Sequence, residues 1–152
     1  MPTTREPTEP ILEPGFTRWP WWRRWFGRRS ERYAGRFLRS LGYRVLAANV
    51  SDPAGELDLL TLDRETLVVV EVRSTASDGP YALENTAASV DLRKQRKITG
   101  ATLRFLNARK LLGKIAVRFD VLVISWPAHS REPTIRHIPH AFEATGKFQM
   151  FS

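Results

Sequence analysis

A chain of 152 residues, 42% of them hydrophobic, has room for one domain with a real core and not for two. With no cysteine, a disulfide framework and a thiolate metal site are excluded. No stretch approaches the roughly 20 apolar residues that cross a bilayer. The net charge of +8 is held unevenly: residues 16–44 carry nine arginines against the single acid Glu31, and residues 93–118 carry nine basic residues and no acid. Two basic blocks around a more acidic centre point to phosphate contacts, hence to nucleic acid and most simply to DNA.

Residues 1–15 hold four prolines and three glutamates with little to bury, and are expected to be a disordered leader. The N-terminus lacks the basic start and apolar run of a signal peptide, so the chain reads as unprocessed and cytoplasmic. Residues 16–26, FTRWPWWRRWF, set four of the five tryptophans among arginines. That composition suits a surface that stacks on bases, or rings that cap a core. A membrane-surface helix is the weakest alternative, because Pro20 interrupts the segment and its basic and aromatic residues are mixed around the axis. The domain itself is placed at 27–145, with 146–152 as a tail.

A first helix is expected from about Arg28 to Leu41, since Ala34, Phe37, Leu38 and Leu41 recur at helical spacing and Gly42 supplies the stop. Glu31 lies on the same stripe and points at the core, which a carboxylate does at a cost unless something cationic meets it. Arg28, Arg29 and Arg32 fall at the start of this helix and are candidate phosphate contacts. Tyr43–Ala47 reads as a strand, residues 51–55 as a break, and Glu56–Leu62 and Thr66–Arg73 as two further strands. A turn centred on Arg64 and Glu65 makes the last two an antiparallel hairpin in which Asp58 lies opposite Glu71. Directly opposed side chains approach to about 5 Å, where two carboxylates repel unless a cation such as Mg²⁺ lies between them. Arg73 shares their face by the two-residue period.

Residues 74–86 read as a loop. A second helix is expected from Ser89 or Asp91 to Leu112, closed by Gly113, with Ile98, Ala101 and Phe105 inward. Counting back four residues puts Lys94 on the inward stripe toward the acidic patch, while Arg93, Lys97 and Arg104 form a separate basic stripe and are candidate nucleic-acid contacts. Strands follow at Ile115–Ser125 and around Ile135–Ile138. Asp120, beside Arg118, reads as a structural partner. His129, His137 and His140 show no zinc spacing.

An acidic residue, a spacer of about a dozen, then Glu-X-Lys at the end of a buried strand marks the PD-(D/E)XK nucleases, and Asp58 with Glu71-Val72-Arg73 occupies those places. From Gly27 to Phe142 the chain more specifically resembles the uncharacterised YraN-like bacterial family. The likeness runs through the helix around Glu31, GELDLL at 55–60, VVVEVR at 68–73, KQRK at 94–97, RFDVLVI at 118–124 and IRHIPHAF at 135–142. The resemblance implies a restriction-endonuclease-like α/β fold, a mixed β-sheet flanked by helices. It implies Glu31, Asp58 and Glu71 as ligands of Mg²⁺ or Mn²⁺, and Lys94 and Gln95 near the scissile phosphate. With Arg73 these give the catalytic set Asp58, Glu71, Arg73, Lys94 and Gln95, and a Mg-dependent endonuclease of structured DNA. A resolvase-like enzyme would also need a homodimer.

Three positions depart from the family pattern: Ser30 for a glycine, Arg73 for the motif lysine and His140 for an asparagine. Arginine keeps its charge at any working pH, so Arg73 cannot be a general base, although it can stabilise transition-state charge. The alternative is a catalytically impaired binding module of the same fold.

Overall fold

The two periodicities of the sequence separate cleanly into a sheet and its covering helices. The structure, a computed structural model, describes residues 29–77, 79–129 and 131–144. Its elements are α1 (Arg29–Ser40), β1 (Arg44–Asp52), β2 (Gly55–Asp63), β3 (Thr66–Thr75), α2 (Ala82–Ala88), α3 (Leu92–Ala108), β4 (Ala116–Ser125) and β5 (Thr134–Phe142). The five strands lie side by side in chain order. β1, β2 and β3 form an antiparallel meander, β4 runs parallel to β3, and β5 returns antiparallel along β4. The parallel step needs a crossover, which α2 and α3 supply. This mixed sheet flanked by helices is the restriction-endonuclease-like architecture.

β3 is buried on both faces, which is why Leu67, Val68, Val69 and Val70 are all apolar. On one side α1 lays Ala34 and Leu38 against Leu59, Val68, Val70, Leu122 and Ile124. On the other, Ile98, Ala101, Phe105 and Leu106 of α3 pack on Leu60, Leu62, Leu67, Val69, Val121 and Val123. The β2–β3 register pairs Leu59 with Val70, Leu62 with Leu67 and Asp63 with Thr66 around Arg64 and Glu65, as the hairpin expectation required. Continued by one residue, it sets Asp58 opposite Glu71.

α1 stops where glycine allows it. Gly42 takes a positive φ of 91°, Gly42 N–H donates to the Arg39 carbonyl and Tyr43 N–H to that of Leu38. The two bonds satisfy carbonyls that the helix end would otherwise orphan. α3 ends in the same way, but four residues before the expected Leu112. Lys110 adopts φ 56°, its N–H donates to Asn107, and the buried Leu111 donates to Leu106. The sequence carries a lysine where a glycine would have signalled this stop.

Three further expectations need correction. β1 runs on to Asp52 instead of ending at Ala47, because Asp52 accepts the Ala54 N–H and closes a tight turn directly into β2. The expected loop at 74–86 contains the end of β3 and most of α2, a seven-residue helix that meets the core only through the partly buried Leu83 and Ala87, too short a stripe to announce it. β5 is nine residues long, more than twice the expected length, with few fully apolar positions. The leader, the Trp/Arg segment, Arg28 and the tail lie outside the described residues.

Candidate functional site

The pair anticipated across the β2–β3 hairpin is present, and it is buried. Glu71 is 5% exposed and Asp58 is half-buried beside it. Beyond Leu59 the ladder gives way to side-chain chemistry, and the Asp58 carboxylate accepts the Val72 N–H at 2.9 Å. Asp58 and Glu71 share a hydrogen bond between their side chains. Burial, then the neighbouring Asp58, push the Glu71 carboxyl up to about 8, partly opposed by Lys94. Burial also raises Asp58, against the Val72 hydrogen bond. Two desolvated carboxyls this close keep a proton between them at neutral pH.

Two cations lean on the pair. Lys94, in the first turn of α3, brings Nζ to 3.4 Å from Glu71 Oε1, and Arg73 brings Nε to 3.5 Å from the same oxygen. Lys94 is where helical spacing placed it. The start of α3 is fixed by Asp91, whose carboxylate caps the Lys94 N–H at 2.9 Å. The Arg73 Nε is buried and makes no hydrogen bond, so its attraction to Glu71 is a charge contact without directional closure. Gln95 turns back on the α2–α3 joint, donating from Nε2 to the Val90 carbonyl at 3.0 Å.

Glu31 is buried at 4% exposure, as its stripe implied. Its partner is Asn49 of β1, whose Nδ2 donates to Glu31 Oε2 at 2.9 Å. Glu31 is near enough that its charge contributes to raising Asp58. Among the described residues, however, no group of three or more His, Cys, Asp or Glu side chains is placed to hold a metal ion. The structure thus assembles two of the three expected carboxylates into a pair and brings the third close to it. Two carboxylates with hard oxygen donors still fit Mg²⁺, which takes one or two from protein and completes its shell with water and phosphate.

The expected nucleic-acid residues divide. Arg93 and Lys97 are exposed on α3, and Arg29 and Arg32 on α1. Arg29 covers the Trp126 ring at 4.0 Å, while Trp126 Nε1 donates to Ser30. Arg104 is bound in a bidentate pair by Asp52 at 2.9 and 2.6 Å, so its guanidinium, although exposed, already has an intramolecular partner. Sequence spacing could not reveal a partner fifty-two residues away. Asp120 is fully buried and saturated: it accepts from Arg118 Nε at 2.8 Å and the His140 N–H at 3.0 Å, and lies 2.7 Å from His137 Nε2. Burial pushes its carboxyl up, but the bonds from His137 and Arg118 outweigh that and hold it below the ordinary range. It is a structural hub, as its place beside Arg118 suggested.

The model of an uncharacterised protein family, UPF0102, matches residues 30–124, from the helix glutamate through β4. The chain belongs to the UPF0102 family. A UPF0102 protein of Rhodopirellula baltica is 42% identical over 123 residues, covering 79% of this chain and 71% of its own. Others are 42% identical in Stutzerimonas stutzeri, over 78% of this chain and 94% of the relative, and 40% identical in Myxococcus xanthus, over 80% and 92%. The UPF0102 match begins at Ser30, so Glu31, Asp58, Glu71 and Lys94 all lie within it. No helix among the described residues is long and apolar enough to cross a membrane.

Proposed function

We propose that this UPF0102 protein is a Mg²⁺- or Mn²⁺-dependent endonuclease acting on structured DNA, with Asp58 and Glu71 as its metal-binding carboxylates. The observation that carries the proposal is the buried Asp58–Glu71 pair flanked by Lys94 and Arg73. A fold gains no stability from two desolvated acids face to face, so their retention calls for a functional cause. When bound, the divalent ion supplies Lewis-acid polarisation of the phosphodiester. The chain's own groups do the rest. Asp58 is held in place by the Val72 N–H, and Glu71 is oriented by two cations. Lys94 and Arg73, fixed before substrate arrives, stabilise the charge that develops on the phosphoryl oxygens. Arg93 and Lys97, exposed on the helix that carries Lys94, meet neighbouring phosphates.

The replacement of the motif lysine by Arg73 favours one second reading, a binding module of the same fold that has lost cleavage. Labelled linear, flapped and four-way DNA incubated with Mg²⁺ or Mn²⁺ separates the two. Wild type is expected to cut only with metal, and to prefer a branched substrate, while Asp58→Ala does not cut. If wild type and Asp58→Ala bind equally and neither cuts any substrate, the module stands and the enzyme falls.

A further inference from the structure

Asn49 is the residue of this site that spacing did not reveal, and three observations converge on it. Its φ of 52° lies in the left-handed region, which asparagine tolerates better than most residues but which no regular strand uses. It falls between the paired positions Ala48–Leu59 and Val50–Leu57, directly across from Asp58. Here both strands change sides: Ala48 and Leu59 pack in the α1 layer, whereas Val50 and Leu57 pack in the α3 layer. A regular strand would send residues two apart to the same face. The left-handed residue therefore sits where both strands change layers, across from Asp58.

Glu31 belongs to the α1 layer and Glu71 to the α3 side, where Lys94 meets it. A flat sheet would separate the two. We propose that Asn49 is the positioning residue of the site: its left-handed turn lies where the strands change layers beside Asp58, and its amide holds Glu31 so that the α1 carboxylate meets the Asp58–Glu71 pair from the opposite layer. The amide donates from Nδ2 to Glu31 Oε2 at 2.9 Å. Asn49 itself is not a ligand. It acts as the hydrogen-bonded partner that orients a carboxylate beside the metal-binding pair, an outer-contact role whose loss typically weakens metal affinity about 10- to 100-fold.

This rests on reading the carboxylates as a divalent-metal site, so the experiment separates the two claims. The full chain is titrated with Mn²⁺, free Mn²⁺ is followed by electron paramagnetic resonance, and the fold of each variant is checked by circular dichroism. Asn49→Gly retains access to the left-handed backbone and removes only the amide. It is expected to stay folded and to bind Mn²⁺ about tenfold more weakly. Glu31→Gln is expected to weaken binding similarly, and the double variant to be no weaker than Glu31→Gln alone, because Asn49 acts through Glu31. A folded Asn49→Gly with wild-type affinity, or losses that simply add, overturns the positioning role while leaving the metal site standing. If Asn49→Gly does not fold, Asn49→Asp replaces it, keeping size and backbone while turning a donor toward Glu31 into an acceptor. Wild-type affinity there overturns the role equally. Wild type that takes up no Mn²⁺ overturns the metal site and Asn49's role with it.

Discussion

Glu71 sets the pH response of the metal-free protein. Its carboxyl titrates from about 8 in the folded protein and from 4.5 when exposed, so between those values the native state holds a proton that the unfolded chain has released. Stability must then fall as pH rises through that window. Urea unfolding of the metal-free protein from pH 5 to 8 is expected to show that decline, and Glu71→Gln to flatten it. A divalent ion competes with the same proton, so Mg²⁺ or Mn²⁺ should raise the melting temperature more at pH 8 than at pH 6, and Asp58→Asn should abolish the rise. Equal melting temperatures with and without metal, in both proteins and at both pH values, would sink the site. At Arg73 a lysine restores the nuclease motif. Arg73→Lys is expected to leave cleavage within about tenfold, ~1.4 kcal/mol in barrier, and Arg73→Ala to cost far more, as measured by single-turnover rates on a branched substrate. The opposition of Asp58 to Glu71 was legible because a hairpin turn fixes every pair behind it, and Lys94 because helical spacing from Ile98 does the same. Asn49 was not, since asparagine three residues before Asp52-Pro53 resembles the approach to a turn and nothing local shows that the strand passes through it.

At the scale of elements, the caps show both what a sequence declares and what it conceals. Gly42 announces the end of α1, whereas α3 makes the same pair of closing bonds with Lys110 at φ 56°. An L side chain in that conformation is strained where glycine is not. Lys110→Gly is therefore expected to raise unfolding free energy by about 0.5–1 kcal/mol in urea titrations, and a loss would show that the lysine side chain contributes more than its backbone costs. α2 was hidden for a different reason. It has no fully buried residue, meets the core only through Leu83 and Ala87, and carries a surface ion pair from Glu84 to Arg136 of β5, so two apolar positions in seven residues do not make a legible period. Strands β2, β3 and β4 were legible from their apolar runs because the sheet is covered on both faces. β5, at the edge, alternates weakly and was read short.

Across the whole molecule, charge is arranged at three depths, and each should respond differently to change. At the surface, Arg93, Lys97, Arg29 and Arg32 are exposed, and DNA affinity is expected to drop steeply as salt rises, with a slope reduced in Arg93→Ala/Lys97→Ala; binding indifferent to salt would remove the phosphate-contact role. Half-way in, Arg104 and Asp52 form a pair whose arginine is largely exposed, and Asp52→Ala should cost no more than about 1 kcal/mol. Deepest, Asp120 ties Arg118, His137 and the His140 N–H together, and Asp120→Ala should cost about 3–5 kcal/mol because a part-buried arginine loses its main partner. The point where β1 and β2 change sides has one more effect on the whole. An evenly alternating hairpin that slips by two residues still sends every side chain to its own face, and only the lost pairs resist the error. Here the reversal at Asn49 must meet the reversal at Asp58, so even a two-residue slip turns part of one strand inside out against its neighbour. The irregularity is a key cut into the hairpin: it admits a single alignment, and that alignment is the one in which Asn49 faces Asp58.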